Sequence, residues 1–163
     1  MKLQLAIILS LATTNAYAEI EIKFDRFTNK TTVSSPVANQ LVSRADTALT
    51  PNWFATYTGK KPTELLSGMA LTFWKINKSW EYLQCHSAAM LADGLPFPLA
   101  KSTHSGTVGR GYVVERIKVP FTLANVKKLS EAKLVEFKIC NTEGRFSEDD
   151  LQDLREFIKA LTP

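Results

Sequence analysis

The stretch that most constrains this chain lies at its start. Met1-Lys2 is a short positive opening, Leu3 to Ala12 is almost wholly apolar, and Ala16-Tyr17-Ala18 has the small-x-small pattern that a signal peptidase reads. Such a segment is an address, not a structural element. The expectation is a signal peptide over residues 1–18, cleaved near Ala18, and a single globular domain over residues 19–163, exported to the periplasm or secreted. Two consequences follow for folding. Eighteen residues leave the core count, and both cysteines enter an oxidising compartment. Beyond the leader no apolar run approaches the roughly 18 residues that a membrane-spanning helix needs, so no transmembrane segment is expected in the mature chain.

The 145 residues that remain suit one domain. A chain of that size buries about 68–70% of its unfolded surface, enough for a core without a set of disulfides or a metal. The composition, 45% hydrophobic and 22% charged, argues for an ordered protein. The formal charge is +4, and loss of Lys2 takes it to +3. The cations are scattered (Lys60-Lys61, Lys127-Lys128, Arg110, Arg116), with no run of five like charges. Nucleic-acid binding calls for a concentrated basic face with interleaved aromatics, so nucleic acid is not an expected partner. A weak attraction to anionic envelope polymers is compatible with this charge. Asn29-Lys30-Thr31 and Asn77-Lys78-Ser79 fit the glycosylation pattern, which matters only in a eukaryotic secretory pathway.

Residues 19–27 alternate apolar and polar, with Ile20, Ile22 and Phe24 on one face, and predict a half-buried strand returning through Thr31-Thr32-Val33. Val37, Leu41 and Ala45 are spaced for a short helix closed by Thr50-Pro51. Trp53 to Tyr57 suits a strand. Leu71 to Ile76 and Trp80 to Cys85 read as a hairpin with a three-residue loop. Asp93-Gly94 supplies the two positive-φ positions of a type I′ turn, and Pro96 and Pro98 confine the return to an edge. Lys101 to Gly111 reads as a polar, glycine-containing loop before a strand over Tyr112 to Val119. Thr122 caps a helix with Leu123, Val126 and Leu129 on its apolar face, and Lys133 to Cys140 alternates as a strand. Ser147-Glu148-Asp149-Asp150 opens a helix whose apolar stripe is Leu151, Leu154, Phe157, Ile158 and Leu161. The expected class is α+β: a largely antiparallel β-sheet of about five to seven strands with two or three helices covering one face.

An even number of cysteines in an exported chain favours a Cys85–Cys140 disulfide. His86 follows Cys85 directly, so on a strand the two side chains oppose one another and make no local dyad. Cys85-His86, His104 and Cys140 lack the short ligand spacings of a zinc site, so neither a metal nor a cofactor is expected. Gly106-Thr107-Val108-Gly109-Arg110-Gly111 resembles a phosphate cradle only superficially, because its glycines precede a strand instead of opening a helix. It reads as a mobile functional loop carrying His104, Ser105 and Arg110. Glu115 and Glu136 read as solvent-facing strand residues. Among the aromatics, Phe73 and Trp74 point to opposite faces of their strand, which leaves Trp74 as a candidate exposed ring for a sugar or a protein.

No catalytic residue stands out. The candidate binding residues are His104, Ser105, Arg110, Glu115 and Trp74. The leading expectation is an exported, non-enzymatic domain that binds a macromolecule or small ligand in the envelope or outside the cell. Two alternatives stand beside it: a small hydrolase or thiol enzyme using Cys85 or His104, and an inhibitor of an extracellular enzyme acting through residues 101–111.

Overall fold

The computed structural model describes residues 20–35, 49–60 and 66–162. In chain order the elements are β1 (Glu21–Asp25), β2 (Lys30–Ser34), β3 (Thr50–Thr58), β4 (Leu66–Asn77), β5 (Ala88–Ala92), β6 (Leu95–Pro96), β7 (Thr103–Val108), β8 (Val113–Pro120), α1 (Leu123–Ser130), β9 (Val135–Ile139), β10 (Thr142–Arg145) and α2 (Glu148–Leu161). Six strands form one sheet in the order β1-β2-β3-β4-β8-β7, and four form a second in the order β10-β9-β5-β6. Every neighbouring pair is antiparallel. The molecule is therefore broadly α+β, as expected. It has two sheets where one was expected, and ten strands with two helices among the described residues.

Alternation along each strand sends one set of side chains inward. Trp53 and Tyr57 of β3, Leu71 and Phe73 of β4, and Ile117 and Val119 of β8 form the inner face of the first sheet. Val135 and Ile139 of β9 line the second, and the rings of Phe73 and Phe137 meet across the two sheets at 4.6 Å. Trp53 is the hub: Phe121 and Phe146 meet it edge-on at 5.4 and 6.3 Å, and Phe157 of α2 at 6.1 Å. Such aromatic pairs add about 0.5–1.5 kcal/mol each beyond their area burial.

Local chemistry sets the helix ends. Thr122 Oγ1 accepts the Asn125 N–H at 3.2 Å and starts α1. Ser147 and Asp150 form a reciprocal capping box at the start of α2. Glu148, Asp149 and Asp150 place negative charge where the helix dipole favours it. Asp93 (φ 50°) and Gly94 (φ 78°) make the turn between β5 and β6. The Asp93 carboxylate also accepts the N–H groups of Lys133 and Leu134, both at 2.9 Å, tying that turn to the entry of β9.

Four expectations are corrected. Residues 80–85 are not a strand; the chain bends there, and β4 pairs with β3 and β8 instead. Residues 103–108, read as loop, form the edge strand β7, whose polar residues suit a strand open on its outer side. Thr50-Pro51, read as the end of a helix, begins β3; the helix expected over residues 37–50 otherwise lies outside the described residues, as does the leader. β1, expected to be half-buried, is exposed at all five positions.

Leu154, fully buried beneath α2, gives a direct test of the packing. Leu154→Ala is expected to lower unfolding free energy by about 2–5 kcal/mol with an unchanged denaturant slope. A midpoint equal to that of the parent chain would mean that α2 does not close this core.

Candidate functional site

Glu115 lies on β8 in the parity of Val113, Ile117 and Val119, so its side chain points inward, and it is fully buried. Register places it beside Lys75 of β4 and Gly106 of β7. A carboxylate removed from water costs several kcal/mol unless its oxygens are occupied. Here they are. Glu81 N–H donates to Oε2 at 2.8 Å, and Tyr82 N–H donates to Oε1 at 2.9 Å. His104 Nε2 lies 3.0 Å from Oε1. Two successive backbone amides thus bond a side chain in place of a neighbouring strand. That is why the β-forming residues 80–85 do not form a strand.

The segment leaving β4 crosses this end of the first sheet and carries further groups with it. The His104 ring sits between Trp80, edge-on at 5.8 Å, and His86, stacked at 6.0 Å with 25° between planes. Trp80 lies over Gly106, where an added Cβ would stand 2.4 Å from Trp80 Cζ3. Only glycine leaves room for the indole. The Lys75 side chain is buried with its Nζ 3.7 Å from Glu81 Oε2, and Asn77 Nδ2 donates to the same oxygen at 3.0 Å. Tyr82 turns into the core, its hydroxyl 2.9 Å from Thr142 Oγ1. Burial pushes its phenol up to about 12. At the far end Cys85 is bonded to Cys140, and the Cys140 N–H donates to Ser87 O at 2.9 Å.

The five candidate binding residues do not converge. His104 and Glu115 are partners on the inner face, with only 8% of the His104 side chain exposed. His104 is thus not the loop residue expected, and Glu115 is not solvent-facing. Trp74 and Ser105 both pair in register with Arg116 on the opposite face, where the Arg116 guanidinium stacks 4.8 Å above the Trp74 ring. Arg110 occupies the two-residue turn between β7 and β8, with Gly111 at φ 80°. Residues 101–111 are therefore largely strand and tight turn. Sequence reasoning missed the buried Tyr82 and Lys75, the half-buried His86 and the exposed Trp80 as members of the cluster around Glu115 and His104. For Glu115 a signal existed, since it sits in the apolar parity of its strand.

Neither cysteine is free, so Cys85 does not offer a thiolate. Among the described residues no group of three His, Cys, Asp or Glu side chains is placed to hold a metal ion, and no helix is long and apolar enough to cross a membrane. The disulfide fits an oxidising compartment. A cavity of about 290 Å³ opens on the second sheet among Ala89, Leu91, Glu136, Lys138 and Glu143, and shares no residue with the cluster. There the Lys138 ammonium, 2.7 Å away, holds the Glu143 carboxyl below its usual range.

The denatured, unreduced chain is expected to release no thiol to a colorimetric reagent. The Cys85→Ser, Cys140→Ser pair should lose about 2–4 kcal/mol of stability, because the bridge closes a loop spanning 55 residues. Detection of two thiols would contradict the bridge. Tyr82 supplies a pH test. Its folded pKa lies above the ordinary tyrosine value of 10.0, so the neutral phenol favours the folded state. That contribution is complete below about pH 10 and is lost as pH rises through about 12. Denaturant midpoints of the parent chain should therefore fall more steeply across this window than those of Tyr82→Phe; parallel curves would refute the shift.

Comparison of the chain with protein-family models, with curated proteins and with solved structures finds no match.

Proposed function

We propose that the exported chain is a binding domain without catalytic activity of its own, holding a macromolecule or small ligand of the envelope or extracellular space on the outer face of β4, β7 and β8. The observation that carries this reading is the enclosure of the His104–Glu115 pair. A general acid or base must come within hydrogen-bond reach of its substrate. Glu115 is fully buried and engaged by two amides and an imidazole, which supports a structural use of the pair.

The outer face has a different character. Its outward positions include Trp74, Arg116, Lys118, Thr103, Ser105 and Thr107, and none of the outward positions on these three strands is Asp or Glu. An aromatic ring, two cations and a row of hydroxyls suit an anionic, hydroxyl-rich ligand. Arg110 extends this surface at the adjoining turn. The inhibitor reading finds less support, because an inhibitory loop offers extended backbone to a cleft and Arg110-Gly111 is a tight turn. Thiol chemistry finds none at Cys85, whose sulfur is already bonded.

Calorimetric titration with an anionic polysaccharide tests the reading. Arg116→Ala is expected to weaken binding about tenfold, in line with the loss of a charge-assisted hydrogen bond. Arg110→Ala should weaken it less, and both variants should unfold at the same midpoint as the parent chain. Measurable turnover of an ester, peptide or glycoside substrate, abolished by His104→Ala in a folded protein, would overturn the proposal.

A further inference from the structure

The first hairpin carries an alternating pattern without the burial that such a pattern normally brings. Ile22 and Phe24 pair in register with Val33 and Thr31, which are fully buried, yet they themselves are 58% and 36% exposed. Phe27, in the turn between β1 and β2, is 85% exposed. Helix α2 packs on β2 and β3. The apolar face of the first sheet therefore runs on into solvent along β1.

A cation lies beside each of the two rings. The Arg26 guanidinium lies 4.8 Å from the Phe27 ring centroid, and Lys60 Nζ lies 5.4 Å from that of Phe24. Lys30 begins β2 directly after the turn, but stands opposite Asp25 on the other face of the hairpin. Among the described residues neither Arg26 nor Lys60 has a carboxylate partner. The nearby acids are engaged elsewhere. Asp25 accepts the Phe27 N–H at 2.8 Å and the Thr28 hydroxyl at 2.7 Å, which hold its carboxyl below the usual range. Glu21 pairs with Lys23 at 3.0 Å.

We propose that this hairpin is a docking finger for an anionic lipid surface. Phe27, Phe24 and Ile22 enter the boundary between headgroups and acyl chains, while Arg26 and Lys60 meet the headgroup phosphates. Basic side chains suit such a boundary because their stems lie along apolar surface while the charge stays among polar groups. Charge complementarity favours this occupant over a second copy of the chain. The antiparallel register that pairs all five residues of β1 with another β1 opposes Lys23 to Lys23 and Glu21 to Asp25, and directly opposed like charges destabilise a sheet edge.

Co-sedimentation of the exported, processed chain with vesicles tests the proposal. Binding is expected to mixed phosphatidylglycerol–phosphatidylcholine vesicles, to weaken as salt is raised, and to be much weaker to pure phosphatidylcholine. Phe27→Ser should reduce partitioning about tenfold, from the apolar transfer it removes. Arg26→Ser and Lys60→Ser should each reduce it about fivefold. Phe27 sits in an exposed turn, and circular dichroism should show its variant folded. Absence of binding to anionic vesicles would overturn the proposal. So would binding that Phe27→Ser leaves unchanged, which would place the contact elsewhere. Concentration-dependent self-association that Phe27→Ser abolishes would assign the patch to a second copy instead.

Discussion

One buried carboxylate sets the arrangement of this end of the molecule. Glu115 stands on the inner face of a central strand, where an unpaired charge would cost several kcal/mol. The backbone amides of Glu81 and Tyr82 and the ring of His104 meet that cost. Because two of the three donors belong to the chain leaving β4, satisfying the carboxylate also draws that chain across the sheet. Trp80 then settles over Gly106, Tyr82 enters the core and reaches Thr142, and the backbone continues to Cys85. The disulfide holds the same segment from its other end, at Cys140 beside the second sheet.

His104 and Glu115 bond one another inside the fold, and Glu115 also holds the segment leaving β4 through two of its amides. The surface carries other groups: the half-buried Trp74 with Arg116 on one face, and the exposed Phe27 with Arg26 on the first hairpin. Both surfaces combine aromatic area with positive charge.

Much of the secondary structure was legible because its causes are local. The capping box at Ser147 and Asp150, the apolar stripe of α2, the Asp93-Gly94 turn and the return of β2 beside β1 each depend on residues within a few positions of one another. The misreadings share the opposite cause. Trp80 to Cys85 has the composition of a strand, but its amides are taken by a carboxylate more than thirty positions away. Thr103 to Val108 has the composition of a loop, but β8 offers it a partner, and an edge strand tolerates polar residues and glycine on its open side. The five candidate binding residues separated once residues 103–108 formed a strand against β8: neighbours on a strand point to opposite faces, so His104 and Ser105 belong to different surfaces.

The chain's order of residues by itself determined the α+β class, the helix caps and turns, and which side chains share a face. The pairing of the two cysteines was also expected from it and is present in the structure. Tertiary structure alone decided that the strands divide into two sheets, which donors meet the inward Glu115, and that Ile22, Phe24 and Phe27 remain in solvent. The physical reason is that dihedral preference, capping and periodicity act over a few residues. Burial of a charge and coverage of an apolar face depend instead on what the rest of the fold brings within a few ångströms.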